Sequence, residues 1–453
     1  MPSLNRSPRD LAKTVYMGLR RHSNHPKLSI LEELFETMYF ASLKTEELHA
    51  LSFDIVYLDP QNPDPSPPKR ITNDRWRFIR FSETIPLNIP NLMKLASACD
   101  PRTSSLAIYH DSQDRLGAWG LIDQGNSYSD YINYESESGP ERPGLFHAST
   151  AGIGHLVAYR QTKKIAELKV NTLITNILDV FADGPIHDAL QPGVLNYLDA
   201  IKRIVPPEIY EDRSGWDESL KSKWMETLCR LILRVQKYHH GGALLISPDN
   251  SQNGLNIKYK LAYDRLRSAI ENRAALEVQV TYASDRIWEY IESDDEGDMP
   301  IQLYLEESVN SNNLEDNRRE IDSTIWFISL LTRVDGSVCL NQDLEVKGFG
   351  VEITVREAPK SILLALSRYA NPKSRFRRVD YNHYGTRHRS MMRYCYKVPG
   401  SVGFVVSQDG AVRAITRVRE HLVIWDNIKL QLPDFIKSRR LTPKRSKVSG
   451  RFI

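Results

Sequence analysis

Two short stretches carry side chains able to handle phosphate. "VDGSVCL" sets Asp335 beside Gly336 and Ser337, and "YGTRHRS" follows Gly385 and Thr386 with Arg387, His388, Arg389 and Ser390. A carboxylate next to a residue without a side chain can hold Mg2+ or Mn2+ where a ligand approaches the backbone, and so polarise a ribose hydroxyl. Two guanidiniums offer forked donors that match phosphate oxygens, and a Gly-Thr turn adds N–H and hydroxyl donors. His388 is read as a phosphate donor or an orienting group, without a proton-transfer role. Each piece alone has a plainer reading. Arg-His-Arg is commonly a solvated turn, and Asp-Gly is a common turn former.

Other chemistries lack their signatures. There is no GxxxxGK[ST], no GxGxxG after a strand, no HExxH and no GxSxG. "HHGG" at 239–242 has no carboxylate or cysteine at ligand spacing, so a structural or surface role is expected for its histidines. Cys99, Cys229, Cys339 and Cys395 form no CxxC pair, which argues against a zinc ribbon and a disulfide framework and suits a reducing compartment.

The elements that must position the two stretches read as follows. Residues 216–238 carry Leu220, Trp224, Leu228, Leu231, Val235 and Tyr238 at steps of three and four, an amphipathic helix. "GGALLIS" (241–247) is strand-like, and "DSTIWFISLLTR" reads as a helix capped by Asp322 or Ser323 that leads into "VDGSVCL". A helix should follow "YGTRHRS", and "GSVGFVVSQDGAVRAI" reads as two strands around a turn. Strands alternating with helices indicate an α/β domain from about 212 to 430.

In order, "GGALLIS", "VDGSVCL", "YGTRHRS" and "GFVVSQDG" resemble the diadenylate cyclase (DAC, DisA N-terminal) family, across about half the chain. The family carries a "GALIV" strand, Asp-Gly-Ala at the end of a later strand, a "GTRHR" loop and a last strand ending in Ser-Glu or Ser-Gln. The resemblance implies a mixed β-sheet flanked by helices and the joining of two ATP molecules into cyclic di-AMP with release of two pyrophosphates. It implies Asp335, Arg387, His388 and Arg389 as catalytic residues, with Asp335 the ligand of Mg2+ or Mn2+. It implies Gly336, Ser337, Ile353, Gly385, Thr386, Ser390, Ser407 and Gln408 around ATP. Each site holds one ATP, so a face-to-face homodimer or higher oligomer is implied. Ser337 replaces the family's alanine, Gln408 stands where some members have glutamate, and the segment 356–383 is longer than in compact members. Its Lys373, Arg375, Arg377 and Arg378 are expected to be solvated.

The rest of the chain frames this domain. Five prolines in "PQNPDPSPPKR" (60–70) make a loop or stiff spacer. "LSILEELFETMYFASL" has helix-like spacing at Leu31, Leu34, Met38 and Phe40 or Ala41. "RWRFIRF", "SSLAIYH", "AWGLID", "LFHAST" and "GHLVAYR" read as strands, and "LITNILDVFADG" as a helical stretch after them. We therefore expect a β-rich α+β sensor or regulatory domain at 1–210 with an unknown regulatory ligand, the cyclase domain at 211–432 and a basic tail at 433–453. The tail's stretch 436–452, with seven lysines and arginines from Lys437 to Arg451 and no acid, could bind nucleic acid, but a solvated tail is favoured. A net charge of +3 does not imply a nucleic-acid binder, and no apolar run approaches membrane-spanning length, so a soluble, cytoplasmic protein without a membrane partner is expected. The alternatives to an active cyclase are an inactive nucleotide-binding sensor of the same fold and a nucleic-acid-associated scaffold using the tail.

Overall fold

Apolar runs and amphipathic periods build two separate compact units. The computed structural model describes residues 5–22, 24–46, 49–62, 76–125, 142–160, 163–175, 177–211, 216–238, 240–248, 253–292, 300–370, 376–408 and 410–430. The chain divides into Met1–Ile177 and Leu178–Ile453. The expected boundary near residue 210 is thus moved upstream. The helix Pro185–Ile204 packs on the second sheet and its helices, so it belongs to the second unit. The basic tail, Lys373 and Arg375 lie outside the described residues.

The first unit contains helices α1 (Pro8–Leu19), α2 (Leu28–Ser42) and α3 (Ile89–Ala96) and strands β1 (Thr45–Glu46), β2 (His49–Ala50), β3 (Asp54–Tyr57), β4 (Arg77–Pro86), β5 (Ser104–His110), β6 (Leu116–Asp123), β7 (Phe146–Gly152), β8 (His155–Arg160), β9 (Lys163–Lys169) and β10 (Thr172–Ile174). Eight of these form one sheet in the order β10-β9-β8-β7-β3-β5-β6-β4, with only β3–β5 parallel. In α2, Leu31, Leu34, Met38 and Ala41 are buried while Phe40 faces solvent, which settles the ambiguous position. The helical reading of "LITNILDVFADG" is corrected. Thr172–Ile174 pairs with β9 as an edge strand, and Leu178 makes an isolated bridge to Ile428. Too few residues there share a helical face to compete with that pairing.

A charged centre is buried in this sheet. Asp54 is fully buried between two serines on neighbouring strands: Ser105 Oγ donates to Oδ2 at 2.5 Å and Ser149 Oγ to Oδ1 at 2.5 Å. Arg142 Nη2 donates to Oδ2 at 2.8 Å, and His147 Nδ1 lies 3.2 Å from it. Burial alone pushes this carboxyl up, but Arg142, His147 and Ser105 override it and hold the group at about 2. Glu167 is likewise held at about 2 against burial by His155 and Lys164. Folded values below the unfolded ones mean that the stabilisation is present above about pH 4.5 and is lost as pH falls toward 2. The two groups together contribute on the order of 5 kcal/mol. Hydrogen exchange of β3, β5 and β7, corrected for intrinsic rates, should accelerate modestly from pH 7 to 5, because burial holds the His147 imidazole below its ordinary value and the unfolded chain takes up that proton first, and steeply below pH 4.5. Unchanged protection at pH 3 would contradict the assignment.

The second unit contains α4 (Pro185–Ile204), α5 (Pro207–Glu211), α6 (Trp216–Lys237), β11 (Gly242–Ser247), β12 (Leu255–Tyr263), α7 (Arg265–Glu292), α8 (Ile301–Leu331), β13 (Ser337–Asn341), β14 (Val346–Ile353), β15 (Ile362–Ala365), β16 (Phe376–Arg378), α9 (Thr386–Lys397), β17 (Val402–Val406), β18 (Val412–Val418) and β19 (His421–Asp426). Its sheet runs β12-β14-β13-β11-β17-β18-β19-β15-β16. The strand β11 is buried throughout, as a strand covered on both faces must be. Ala243, Leu245 and Val405 share a core with Met391, Met392 and Cys395 of α9, while Phe404 stacks on Phe181 on the other face, with ring centroids 5.8 Å apart. The unit is thus a mixed sheet flanked by helices.

One capping expectation fails. α8 begins at Ile301, so Asp322 and Ser323 lie deep inside it. There Asp322 pairs with Arg230, and Ser323 Oγ donates to the Arg319 carbonyl at 2.9 Å. The described part of the long segment before "YGTRHRS" forms β15 and the edge strand β16, where Arg377 and Arg378 are exposed.

Candidate functional site

The strand registers bring the phosphate-directed stretches to one end of the second sheet. β11 and β13 are parallel, with Leu244 opposite Val338, so Gly242 lies level with Gly336. β17 runs antiparallel on the other side of β11 and ends with Val406 opposite Gly242. The start of β13, the start of β11 and the end of β17 are therefore three neighbouring strand ends, which span roughly 10 Å. β14 also ends on this side, with Ile353 half-buried against the core.

Asp335 is exposed just before β13. The expectation that Asp-Gly closes a strand is corrected: α8 ends, the chain turns, and "DGS" opens the strand. Gly336 has φ +111°, and a Cβ there would lie 2.7 Å from the Gly350 carbonyl carbon, so only glycine lets the turn pass behind β14. Ser337 is buried and its hydroxyl donates to the Val351 carbonyl at 3.3 Å.

Arg387 reaches the same strand ends. A Cβ on Gly241, which has φ +75°, would lie 2.9 Å from Arg387 Nη1, 3.2 Å from the Val406 carbonyl oxygen and 3.3 Å from the Gln408 backbone nitrogen. Gly241 thus creates the space in which the guanidinium meets the end of β17. Sequence reasoning saw the glycine pair as part of a strand and missed this use; its local signal was the doubled glycine before an apolar run. Ser407 closes the turn to β18, with its hydroxyl donating to the Ala411 carbonyl at 3.1 Å, and Gln408 is exposed.

The Arg-His-Arg triplet does not act as one cluster. It occupies the first turn of α9, where neighbours two apart point to opposite sides. Arg389 lies over the Tyr381 ring, 5.9 Å from its centroid. His388 Nε2 accepts from Arg413 Nη1 at 2.9 Å, because a guanidinium only donates, so the ring is neutral with its proton on Nδ1. Arg413 is held in turn by Asp426 at 2.5 Å across the β18–β19 ladder. Neither Arg413 nor Asp426 carried a sequence signal beyond opposite charge on two adjacent strands. Ser390 Oγ bonds the Thr386 and Arg387 carbonyls inside the helix. Gly385, the N-cap, has φ −64° and no atom within 4 Å of where a Cβ would sit. Its value is open space rather than unusual backbone angles. Two guanidiniums at a helix start, where N–H groups also point outward, raise the local potential for an anion.

The remaining candidates are quiet. The four cysteines are buried, and burial pushes the Cys99, Cys339 and Cys395 thiols up to about 12, so none is a ready nucleophile. Among the described residues, no three His, Cys, Asp or Glu side chains converge to hold a metal ion. No helix among them is long and apolar enough to cross a membrane.

Comparison with known proteins bears on the first unit. Residues 20–123 match the family model of the probable sensor domain DACNV. The match supports a sensor domain in the N-terminal part of the chain. The matched region runs from the end of α1 through β6 and includes Asp54 and Ser105. No curated protein and no solved structure matches the chain.

Proposed function

We propose that the second unit is a diadenylate cyclase domain, placed behind a sensor domain, that condenses two ATP molecules into cyclic di-AMP and two pyrophosphates. The observation that carries this reading is the meeting of Arg387 with Gly241 and the end of β17, beside the Asp335 turn, in a chain whose motifs follow the cyclase order. Arg387 neutralises phosphate charge, while Asp335 faces the ribose. The 3'-hydroxyl of one ATP forms a bond to the α-phosphorus of the ATP on a facing subunit. The bond from that phosphorus to the β-phosphate oxygen breaks, pyrophosphate leaves, and the hydroxyl proton passes to solvent. The same displacement in the other direction closes the ring.

Asp335 is the carboxylate that would hold Mg2+ or Mn2+. A lone exposed carboxylate does not make a resident metal cage, but it fits a hard cation that shares its ligands with the substrate triphosphate. Bound there, the ion supplies charge neutralisation and a more acidic 3'-hydroxyl. His388, neutral and tied to Arg413, orients the first turn of α9.

Incubating the full chain with ATP and Mn2+ and analysing products by mass spectrometry tests the reading. Cyclic di-AMP is expected, with activity per subunit falling on dilution because each bond needs two facing sites. Bound ATP without product would favour the inactive nucleotide sensor.

A further inference from the structure

The 31-residue helix α8 is apolar on two opposite faces. One stripe, through Asn317, Ile321, Thr324 and Ile328, is buried in the unit. The other, about 100° wide, faces solvent. At the helix start it carries Ile301, Leu305 and Val309, and at the other end Trp326, Leu330 and, just past the helix, Val334, all between 36% and 65% exposed. Between these patches the same face shows Asn312, Asp316, Arg319 and Ser323, all exposed. Successive positions on it are three or four residues apart, the spacing of a helix-packing seam.

We propose that this outward stripe binds the α8 stripe of a second copy, antiparallel about a two-fold axis between residues 317 and 318. In that register every position meets a match. Ile301 faces the partner's Val334, Leu305 the partner's Leu330 and Val309 the partner's Trp326. Asn312 faces the partner's Ser323, and Asp316 the partner's Arg319. Sliding the pair by four residues in one direction sets Val309 against Asp322 and Asp316 against Glu315, and the opposite slide leaves Ile301 beyond the partner helix and sets Trp326 against Asn313. A parallel in-register pair sets Asp316 and Arg319 each against its own copy. Charge and apolar matching together therefore favour the first arrangement, and the charges also disfavour an anionic lipid or nucleic-acid partner, since Glu306, Glu315 and Asp316 lie along this helix. A contact of this length buries on the order of 800 Å2 per protomer, the size of a standard specific interface. Its Asp335 turns lie about 50 Å apart at 1.5 Å per residue. It is therefore a separate interface from the face-to-face pair of the proposed reaction, and it needs no nucleotide.

Sedimentation equilibrium of the full chain without nucleotide tests this. The wild type should be dimeric, and Leu330→Asp, at an exposed position, should leave the helical circular dichroism intact and yield monomer. Asp316→Arg and Arg319→Asp should each weaken self-association at least about tenfold through like charges at the axis. Mixing these two variants should restore a one-to-one dimer, since each then supplies the charge the other lacks. A wild type that remains monomeric overturns the proposal, leaving the stripe to a different partner. A dimer insensitive to Leu330→Asp, or two charge variants that do not recombine, overturns it equally.

Discussion

Asp335→Asn should abolish cyclic di-AMP formation, by about a thousandfold or more, while ATP binding changes only a few-fold. The substitution keeps the side-chain shape and leaves the Gly336 turn, with its close approach to Gly350, undisturbed. What it removes is a negative charge positioned beside the starts of β11 and β13. Arg387, the proposed phosphate ligand, still lies beside Gly241 and the end of β17, so binding should be largely kept. Titrating the variant with ATP by calorimetry, beside the mass-spectrometric assay, separates the two effects. Product at the wild-type level would sink the assignment of Asp335, and loss of binding together with product would make its role structural.

Asp54→Ala should destabilise the first unit by about 3–5 kcal/mol, the loss seen when one partner of a buried ion pair is removed. Arg142 is only 5% exposed and would keep its charge beside Ser105, Ser149 and His147 with no carboxylate to meet it. The comparison variant is Asp100→Ala, whose partner Arg102 is 76% exposed, and its effect should stay under about 1 kcal/mol. Hydrogen exchange of β3, β5 and β7 in the full chain reads both. A change in Asp54→Ala no larger than in Asp100→Ala would show that the buried cluster does not stabilise this sheet.

Much of the fold is legible locally because burial on one or both faces leaves a period. Leu220, Trp224, Leu228, Leu231 and Val235 face the core of α6 at helical spacing, and "ALLI" in β11 is continuously apolar because helices cover both sides. α8 is legible only in its last turns. Its apolar residues lie on opposite faces, so no single periodicity marks the first twenty residues, and a cap was sought at Asp322 where the helix is already deep in its run. The residue types of the candidate site, an aspartate before glycine and two arginines around a histidine, are plain in the sequence. Their division of labour is not. It took the helical twist of α9 to send Arg387 to the strand ends and Arg389 to Tyr381, and the β18–β19 register to set Arg413 and Asp426 behind His388. The Asp54 cluster draws on residues up to 95 positions apart, joined only by the pairing of β3 with β5 and β7. Types and local periods are properties of neighbouring residues in the chain, whereas which charges meet is decided by strand order, and strand order is a property of the whole sheet.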